Sequence, residues 1–264
     1  MHIDLKGKRA VVSGSTAGIG LGIARGLAAA GAHVVINGRT EERVEKAIAD
    51  IQGTVRNASV SGAVADLATA AGAASLVAQV ENADILVNNV GTATLKPFGE
   101  LTDEDWAWLF DLNVMSGVRL TRHYLPRMVE RGWGRVVFIS SESGLNIPKE
   151  MIHYGMTKTA QLAVSRGVAE SVAGTGVTVN AVLPGPTRSE ILLNWLEPVA
   201  KQSGKSLEEV EQDFLSANRP TSIIKRFAST EEVANMVVYV CSQQASATTG
   251  AALRVDGGVV RFVG

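Results

Sequence analysis

Tyr154 and Lys158 are the two side chains of this sequence whose types and spacing best suit proton transfer. Lying four residues apart, they share one face of a predicted helix. A free phenol has a pKa of about 10 and is a poor acid or base near neutral pH. A nearby ammonium group favours the phenolate and brings that pKa towards the working pH. The pair therefore predicts general acid–base chemistry, provided that its position in the fold agrees.

The position of this pair along the chain supports that interpretation. Ser140 and Ser141 close the fifth predicted strand, and Tyr154 follows Ser141 by thirteen residues. The pair thus lies between the fifth and sixth predicted strands, at the sheet edge where a bound nucleotide would present its reactive end.

Asn113 lies earlier in the chain, on the apolar face of another predicted helix. A buried amide needs hydrogen-bond partners, and a structural role is the simpler interpretation of Asn113 taken alone. The apolar face around it holds Trp106, Leu109, Phe110, Gly117, Leu120 and Tyr124.

A glycine-rich segment, Ser13 to Gly20, directly follows the first predicted strand, with glycines in the spacing G-x3-G-x-G. Such glycines permit a tight turn and let backbone N–H groups approach a pyrophosphate at a helix N-terminus. The alternative is a turn that needs glycine only for its backbone angles, but its place between a strand and a helix strongly favours a dinucleotide site.

The end of the second predicted strand bears on which dinucleotide would bind. An NAD site usually places an acid here for the ribose 2′-hydroxyl group. This chain has the small Gly38 and the cationic Arg39 instead. A guanidinium pairs with a 2′-phosphate through charge-assisted hydrogen bonds, so we expect NADP rather than NAD. The alternative is that Arg39, like Arg43, is a solvated loop residue.

The elements that must position these residues alternate between short β-branched runs and longer helical patterns. Strands that are apolar on both faces, alternating with helices, predict an α/β fold with a single doubly wound parallel sheet. The predicted strands are Arg9–Ser13, His33–Asn37, Val60–Ala65, Asp84–Asn89, Arg135–Ser140, Val177–Val182 and Ala252–Asp256.

Residues 188–228 break this alternation, because two helical patterns follow each other with no strand between them. An insertion after the sixth strand falls at the carboxyl edge of the sheet, where ligands bind. We therefore expect a helical lid over a substrate pocket, the alternative being a helical pair that only covers the sheet edge.

The composition excludes several other classes of protein. The chain has 264 residues, 46% hydrophobic and 19% charged, with a formal net charge of −1. This composition excludes a disordered chain. The net charge gives no indication of a basic surface that would bind nucleic acid or an anionic membrane. Cys241 is the one cysteine and is predicted to be buried, and the histidines show no metal-ligand spacing. We expect a cytoplasmic protein with no signal peptide or membrane span, forming one domain over residues 1–264.

Together these segments resemble the short-chain dehydrogenase/reductase family, and the resemblance covers nearly the whole chain. The catalytic tetrad of that family maps onto Asn113, Ser141, Tyr154 and Lys158. The remaining matches are Ser13 to Gly20 for the glycine-rich turn, Asp66-Leu67 for the acid that touches adenine, Asn88-Asn89-Val90-Gly91, Pro184-Gly185-Pro186-Thr187, Thr249-Gly250, and Val255-Asp256-Gly257-Gly258.

The resemblance implies a Rossmann fold and hydride transfer between NADP(H) and a carbonyl or alcohol carbon. Tyr154 would exchange a proton with the substrate oxygen, and Ser141 would hold that oxygen. Lys158 would lower the phenol pKa and bind the nicotinamide ribose, while Asn113 would anchor a water that passes protons to Lys158. The expected cofactor contacts are Gly14, Ser15, Thr16, Gly18, Ile19, Gly20, Arg39, Asp66, Leu67, Asn89, Gly91, Tyr154, Lys158, Pro184, Gly185 and Thr187.

Three residues depart from the family pattern. Ser13 replaces threonine, Val90 replaces a smaller alanine, and Ala17 stands where many NADP-dependent relatives carry a base. The expected NADP preference therefore rests on Arg39. The 3-oxoacyl-carrier-protein reductases look similar, but so do sugar, steroid and small-alcohol dehydrogenases, so the substrate stays open. The alternative function is a non-catalytic relative that only binds nucleotide.

The resemblance and the apolar residues near the catalytic pair also suggest what the protein binds. We expect a carbonyl or alcohol substrate with an apolar part, Glu142 and His153 as polar contacts, and a homotetramer or homodimer. The expected pocket residues are Ser143, Leu145, Ile147, Met151, Ile152, Ile191, Leu192, Leu193, Trp195, Leu196 and Phe214. The expected helix contacts between subunits are Ala160, Ala163, Val164, Gly167 and Ser171, unless these small residues only pack on the parent sheet.

Overall fold

Seven parallel strands form the central sheet of this computed structural model, which describes residues 2–263 except for the side chain of Ile191. Their order across the sheet is β3-β2-β1-β4-β5-β6-β7. Each strand covers the run predicted for it, with ends that differ by at most two residues. The strands are β1 (Arg9–Val12), β2 (His33–Gly38), β3 (Ser59–Val64), β4 (Ile85–Asn88), β5 (Gly134–Ile139), β6 (Val177–Pro184) and β7 (Ala252–Val255).

Helices cover both faces of this sheet, which confirms the doubly wound α/β fold. They are α1 (Gly18–Ala29), α2 (Glu41–Thr54), α3 (Ala70–Gln79), α4 (Asp103–Phe110), α5 (Ser116–Glu130), α6 (Ile152–Ser171), α7 (Glu190–Ser203), α8 (Leu207–Asn218) and α9 (Thr230–Val240). Alternate side chains of a strand point to opposite faces. Ala10 and Val12 of β1 accordingly pack in the core beneath α1, α2 and α9, and Val11 packs in the core beneath α3, α5 and α6.

Helices α7 and α8 form the lid predicted over residues 188–228. They have a small core of their own, made by Leu196, Val210, Leu215 and Phe227. The side chain of Ser206 accepts a hydrogen bond from the backbone of Glu209, whose carboxylate accepts one from the Ser206 N–H. This capping box fixes the start of α8.

One turn of π-helix, Asp111–Met115, joins α4 to α5 where the sequence pattern predicts an uninterrupted helix. The wider turn rotates the residues before it relative to those after it. Phe110, predicted on the apolar face, is consequently exposed, whereas Leu109 and Asn113 are fully buried.

The reversal of strand order between β1 and β4 places the glycine-rich turn beside the carboxyl end of β4. Ligands of open α/β sheets bind at such a switch point. The ends of β5 and β6 lie on the same edge, with the lid following β6. None of the helices within residues 2–263 is both long and apolar enough to cross a membrane.

Candidate active site

A cavity of about 740 Å³ lies at this carboxyl edge. One end is lined by the glycine-rich turn and by the ends of β2 and β3, and the other by Ser141, Tyr154 and the lid. The single cavity thus joins the predicted nucleotide site to the predicted catalytic residues.

The glycine-rich turn has the backbone conformation that its sequence predicts. Gly14 and Gly18 adopt positive φ angles of 61° and 55°, which side-chain-bearing residues rarely tolerate. A Cβ atom on Gly20 would collide with the carbonyl oxygen of Gly14. Helix α1 begins after Ala17, which offers no capping side chain. Backbone N–H groups at its start are therefore available to an anion in the cavity.

Ser15 departs from the predicted set of cofactor contacts. It is fully buried, and its hydroxyl donates to the carbonyl oxygen of Val12 at 2.7 Å. Its N–H donates to the carbonyl oxygen of Asn37 at 2.9 Å, and the Asn37 side chain in turn accepts from the N–H of Gly14 at 3.0 Å. Both donors of Ser15 are used inside the protein, so it shapes the turn instead of lining the cavity.

Two arginines lie at the end of the cavity beyond β2. Arg39 and Arg43 both line it, and Arg43 pairs with Glu190 at the start of the lid at 3.1 Å. Asp66 and Leu67, which are predicted to contact the cofactor, line the cavity after β3. This end of the cavity thus combines positive charge with the acid expected near adenine.

Tyr154 and Lys158 lie on α6, with the Lys158 Nζ atom 5.6 Å from the centre of the Tyr154 ring. Burial raises the pKa of Tyr154 to about 12, although the Ser141 hydroxyl beside it acts in the opposite direction. Burial also lowers the pKa of Lys158 to about 7. At neutral pH the phenol is therefore protonated and the ammonium is close to its titration midpoint. The expectation that Lys158 brings the pKa of Tyr154 down towards neutral pH was wrong, because burial dominates.

Asn113 does not line the cavity but supports it from behind. Its side-chain amide donates to the carbonyl oxygen of Thr92 at 2.9 Å and to the Thr157 hydroxyl at 3.0 Å. Its Oδ1 atom accepts from the Thr92 N–H at 2.9 Å. Asn113 thereby fastens the loop after β4 to α6, just below the catalytic pair.

The side chain of Gln161 links Lys158 to Asn113, where the family resemblance suggests a water. Lys158 Nζ donates to Gln161 Oε1 at 3.1 Å, and Gln161 Nε2 donates to the main-chain oxygen of Asn113 at 2.7 Å. Only this orientation of the amide suits both partners. Lys158 also donates to the carbonyl oxygen of Ile139 at 2.9 Å, which leaves one of its three donors for a ligand.

The segment after β6 completes the wall of the cavity. Pro184, Gly185 and Thr187, which are predicted to contact the nicotinamide, line it. A Cβ atom on Gly185 would lie 2.7 Å from the carbonyl oxygen of Asp256, so glycine lets the two segments touch. Among the other expected cofactor contacts, Thr16, Ile19, Asn89 and Gly91 also line the cavity.

The lid and the segment before α6 contribute only part of the predicted pocket. Ser143, Met151, Leu192, Trp195 and Phe214 line the cavity, whereas Leu145, Ile147, Ile152, Leu193 and Leu196 do not. The side chain of Ile191 lies outside the described part of the chain. His153 is buried and bonded to the Thr94 hydroxyl at 2.6 Å, so the expectation of a polar contact at the rim was wrong.

Two residues of the site escaped the sequence analysis. Arg219 enters the cavity from the lid and pairs with Glu142, and Gln161 supports Lys158 from the same helix. Gln161 could have been found, because a polar residue one turn after Lys158 interrupts an apolar helix face. Arg219 carried no such signal, since its partner lies far away in the sequence.

Comparisons with known proteins agree with this geometry. The model of a family described as enoyl-(acyl carrier protein) reductase matches residues 14–260. The uncharacterized oxidoreductase YvrD of Bacillus subtilis is 44% identical over 264 residues, covering 99% of each chain. The 3-oxoacyl-(acyl-carrier-protein) reductase FabG of Aquifex aeolicus is 32% identical, covering 98% of this chain and 100% of the relative.

A solved structure is similar over its full length. It is the L-sorbose reductase of Gluconobacter frateurii in complex with NADPH and L-sorbose, with a TM-score of 0.94, 33% identity and 100% coverage of both chains. The chain described here belongs to the short-chain dehydrogenase/reductase family and is an oxidoreductase of that family.

Proposed function

We propose that this protein interconverts a carbonyl compound and an alcohol with NADP(H) as the hydride carrier. The observation that carries the proposal is the convergence of Ser141, Tyr154 and Lys158 at one end of the cavity. The uncapped start of α1 and the two arginines lie at the other end. A dinucleotide bound between these ends would bring its nicotinamide to the catalytic pair.

The residues of the cavity fit such a cofactor. Free N–H groups at the start of α1 suit a pyrophosphate, and Arg39 suits a 2′-phosphate. Asp66 would contact the adenine, and the free donor of Lys158 would bind the nicotinamide ribose. The bound NADPH of the L-sorbose reductase supports the choice of NADP. When bound, the cofactor supplies or accepts the hydride.

Tyr154 is the general acid of the reduction in this proposal. Its phenol stays protonated at neutral pH, because burial raises its pKa to about 12. As the alcohol forms, the phenol proton passes to the substrate oxygen, which the Ser141 hydroxyl holds by a hydrogen bond. The ammonium of Lys158 then stabilises the phenolate that remains. In oxidation the phenolate accepts the alcohol proton and the same contacts act in reverse.

The substrate is a small carbonyl or alcohol compound whose apolar part packs against the lid. Leu192, Trp195 and Phe214 provide that apolar wall. The L-sorbose bound by the similar reductase supports a substrate of this size.

The test is NADPH oxidation, followed by its absorbance, with a panel of ketones and aldehydes. We expect Tyr154→Phe to abolish turnover while NADPH binding, measured by calorimetry, stays near the wild-type value. Tyr239→Phe is the matched control, because Tyr239 packs on the core away from the cavity and should keep full activity. Wild-type turnover by Tyr154→Phe would contradict the assignment, and NADPH binding without any turnover would favour the non-catalytic alternative.

A further inference from the structure

Glu142 and Arg219 form a buried ion pair in the wall of the catalytic cavity. Glu142 directly follows Ser141, and Arg219 lies just after α8 in the lid. Their side chains are 4% and 7% exposed, and Arg219 Nε donates to Glu142 Oε1 at 2.7 Å. Both residues line the cavity together with Ser141 and Tyr154.

The hydrogen bonding of this pair is incomplete. Glu142 Oε1 also accepts from the Ser143 hydroxyl at 3.1 Å, but the buried Oε2 atom has no partner within residues 2–263. Arg219 Nη1 donates to the carbonyl oxygen of Asn218 at 2.8 Å and lies 3.9 Å from Glu150. The same part of the chain provides no hydrogen-bond partner for Arg219 Nη2. One acceptor of Glu142 and one donor of Arg219 are therefore without a partner, in two side chains of residues that line the cavity.

A buried ion pair is an energetically unfavourable choice for a cavity wall compared with apolar side chains. Taking both charges out of water costs more than an apolar contact, and an unpaired buried oxygen adds to that cost. Burial raises the pKa of Glu142, and the Arg219 guanidinium opposes that rise. A ligand that donates to Oε2 would complete the coordination of the carboxylate.

The pair also lies close to the reacting group. The charge of Glu142 raises the pKa of Tyr154, and the charge of Arg219 lowers it. Both charges thus act on the phenol across the cavity. Because the pair, Ser141 and Tyr154 line the same cavity, one small molecule can contact all of them.

We propose that Glu142 and Arg219 bind a hydroxyl group of the substrate, so that the enzyme acts on neutral hydroxyketones and the corresponding diols that also carry an apolar part. The substrate hydroxyl donates to Glu142 Oε2, and its oxygen accepts from Arg219 Nη2. This inference rests on the proposed carbonyl–alcohol chemistry and adds the substrate class.

Two other substrate classes fit the pair less well. A carboxylate group would meet the negative charge of Glu142, which already occupies the Arg219 guanidinium. A purely apolar group would cover Oε2 and leave it permanently without a partner. A neutral group that both donates and accepts matches what the pair leaves open.

The test compares acetoin with butanone, which has the same carbon chain without the hydroxyl group. We expect wild-type kcat/KM with NADPH to favour acetoin. Glu142→Gln presents a donor where the substrate needs an acceptor, so it should lower the acetoin-to-butanone ratio by about tenfold or more. Arg219→Lys, which keeps the charge and removes the fork of donors, should lower the same ratio if Glu142→Gln does not fold.

Glu211→Gln is the matched control. Glu211 is equally buried at 3% and pairs with Arg188 in the lid at 2.8 Å, but it does not line the cavity. It should change the rates with both ketones equally. Thermal unfolding of each variant checks that the fold is retained.

Three results would overturn the inference. Equal losses of kcat/KM with acetoin and butanone in Glu142→Gln would show that the pair only holds the lid in place. A wild-type preference for acetoacetate would show that Arg219 binds an anion. Equal wild-type rates with acetoin and butanone would also overturn it while leaving the proposed function intact. Failure to reduce any carbonyl compound would overturn the proposed function, and this inference with it.

Discussion

Burial of Tyr154 and Lys158, the proposed catalytic pair, favours the neutral forms of both side chains, with opposite consequences for their pKa values. Tyr154 keeps its proton well above neutral pH, since its pKa is raised to about 12. Lys158 loses its proton near neutrality, since its pKa is lowered to about 7. The ammonium is therefore the group of the pair whose titration should govern reduction near neutral pH.

We expect kcat/KM for NADPH in the reduction direction to fall as the pH rises through about 7. The charged form of Lys158 exists below its pKa, and above it the rate should fall about tenfold per pH unit. This ratio is the appropriate measurement, because it reports the pKa values of the free enzyme. Gln161→Leu removes an acceptor that favours the ammonium, so the falling limb should move to lower pH.

Gln79→Leu provides the control for that variant, since Gln79 is an exposed residue of α3 outside the cavity. Its pH profile should match the wild type. A wild-type kcat/KM that stays constant across the neutral and alkaline range would contradict the role given to Lys158. So would a falling limb that lies at the same pH in Gln161→Leu as in the wild type.

The proposed preference for NADP rests on a single side chain. Arg39→Ala should weaken NADPH binding by about 1.5–3 kcal/mol, the value of a hydrogen bond to a charged group. NADH lacks the 2′-phosphate, and its binding should change little. Calorimetry with both cofactors measures the difference, and Arg56→Ala, an exposed arginine away from the cavity, serves as the control. Tighter binding of NADH by the wild type would refute the choice of NADP.

Residues whose roles depend on local spacing could be predicted from the sequence. Tyr154 and Lys158 lie one turn apart, and the glycines of the first turn adjoin their helix. Arg219 could not be predicted, because its role arises only when the lid folds back on the residue after Ser141. The burial of Ser15 could not be predicted for a related reason, since its partner Asn37 comes from the next strand.

Among the elements, strands were easier to predict than irregular turns. Parallel strands buried on both faces leave continuous apolar runs in the sequence, as residues 10–12 of β1 and 85–87 of β4 do. The π-helical turn at 111–115 leaves no such trace, because its extra residue depends on packing and on the bonds of Asn113. The helices of the lid could be predicted from the sequence. The side chains that line the cavity could not all be predicted, since only one side of α7 contacts it.

The lid should affect large substrates more than small ones. Trp195→Ala removes an indole from the cavity wall, and the lost apolar contact should raise the KM of bulky ketones roughly 5- to 30-fold. The KM of small ketones and the kcat should change less, because the catalytic pair is untouched. Steady-state kinetics over a ketone size series measures this. Leu193→Ala on the same helix is the control. An equal rise in the KM of bulky ketones in the two variants would show that the lid only covers the sheet edge.

The exposed surface of α6 suggests that the protein forms an oligomer. Ala163, Gly167 and Ser171 lie one turn apart on α6 and are exposed, and a Cβ on Gly167 would meet no atom within 4 Å among the described residues. We expect a dimer or tetramer in which another copy of α6 approaches this face closely.

Gly167→Arg should break that contact and lower the mass measured by light scattering. Gly53→Arg on α2 is the matched control, because Gly53 is exposed and has equally open surroundings. A wild-type monomer at micromolar concentration, or an equal effect of both variants, would refute assembly through α6.

The strand order also has a consequence for synthesis of the protein. β1 lies between β2 and β4, so one edge of β1 stays open until residues 85–88 have left the ribosome. One edge of β6 likewise stays open until residues 252–255 have been made. The next residue, Asp256, packs against Gly185 in the cavity wall. A nascent chain thus exposes apolar strand edges during most of its translation, and such edges are the surfaces that chaperones protect from aggregation. The cavity, whose wall at Gly185 packs against Asp256, is complete only when nearly the entire chain has been made.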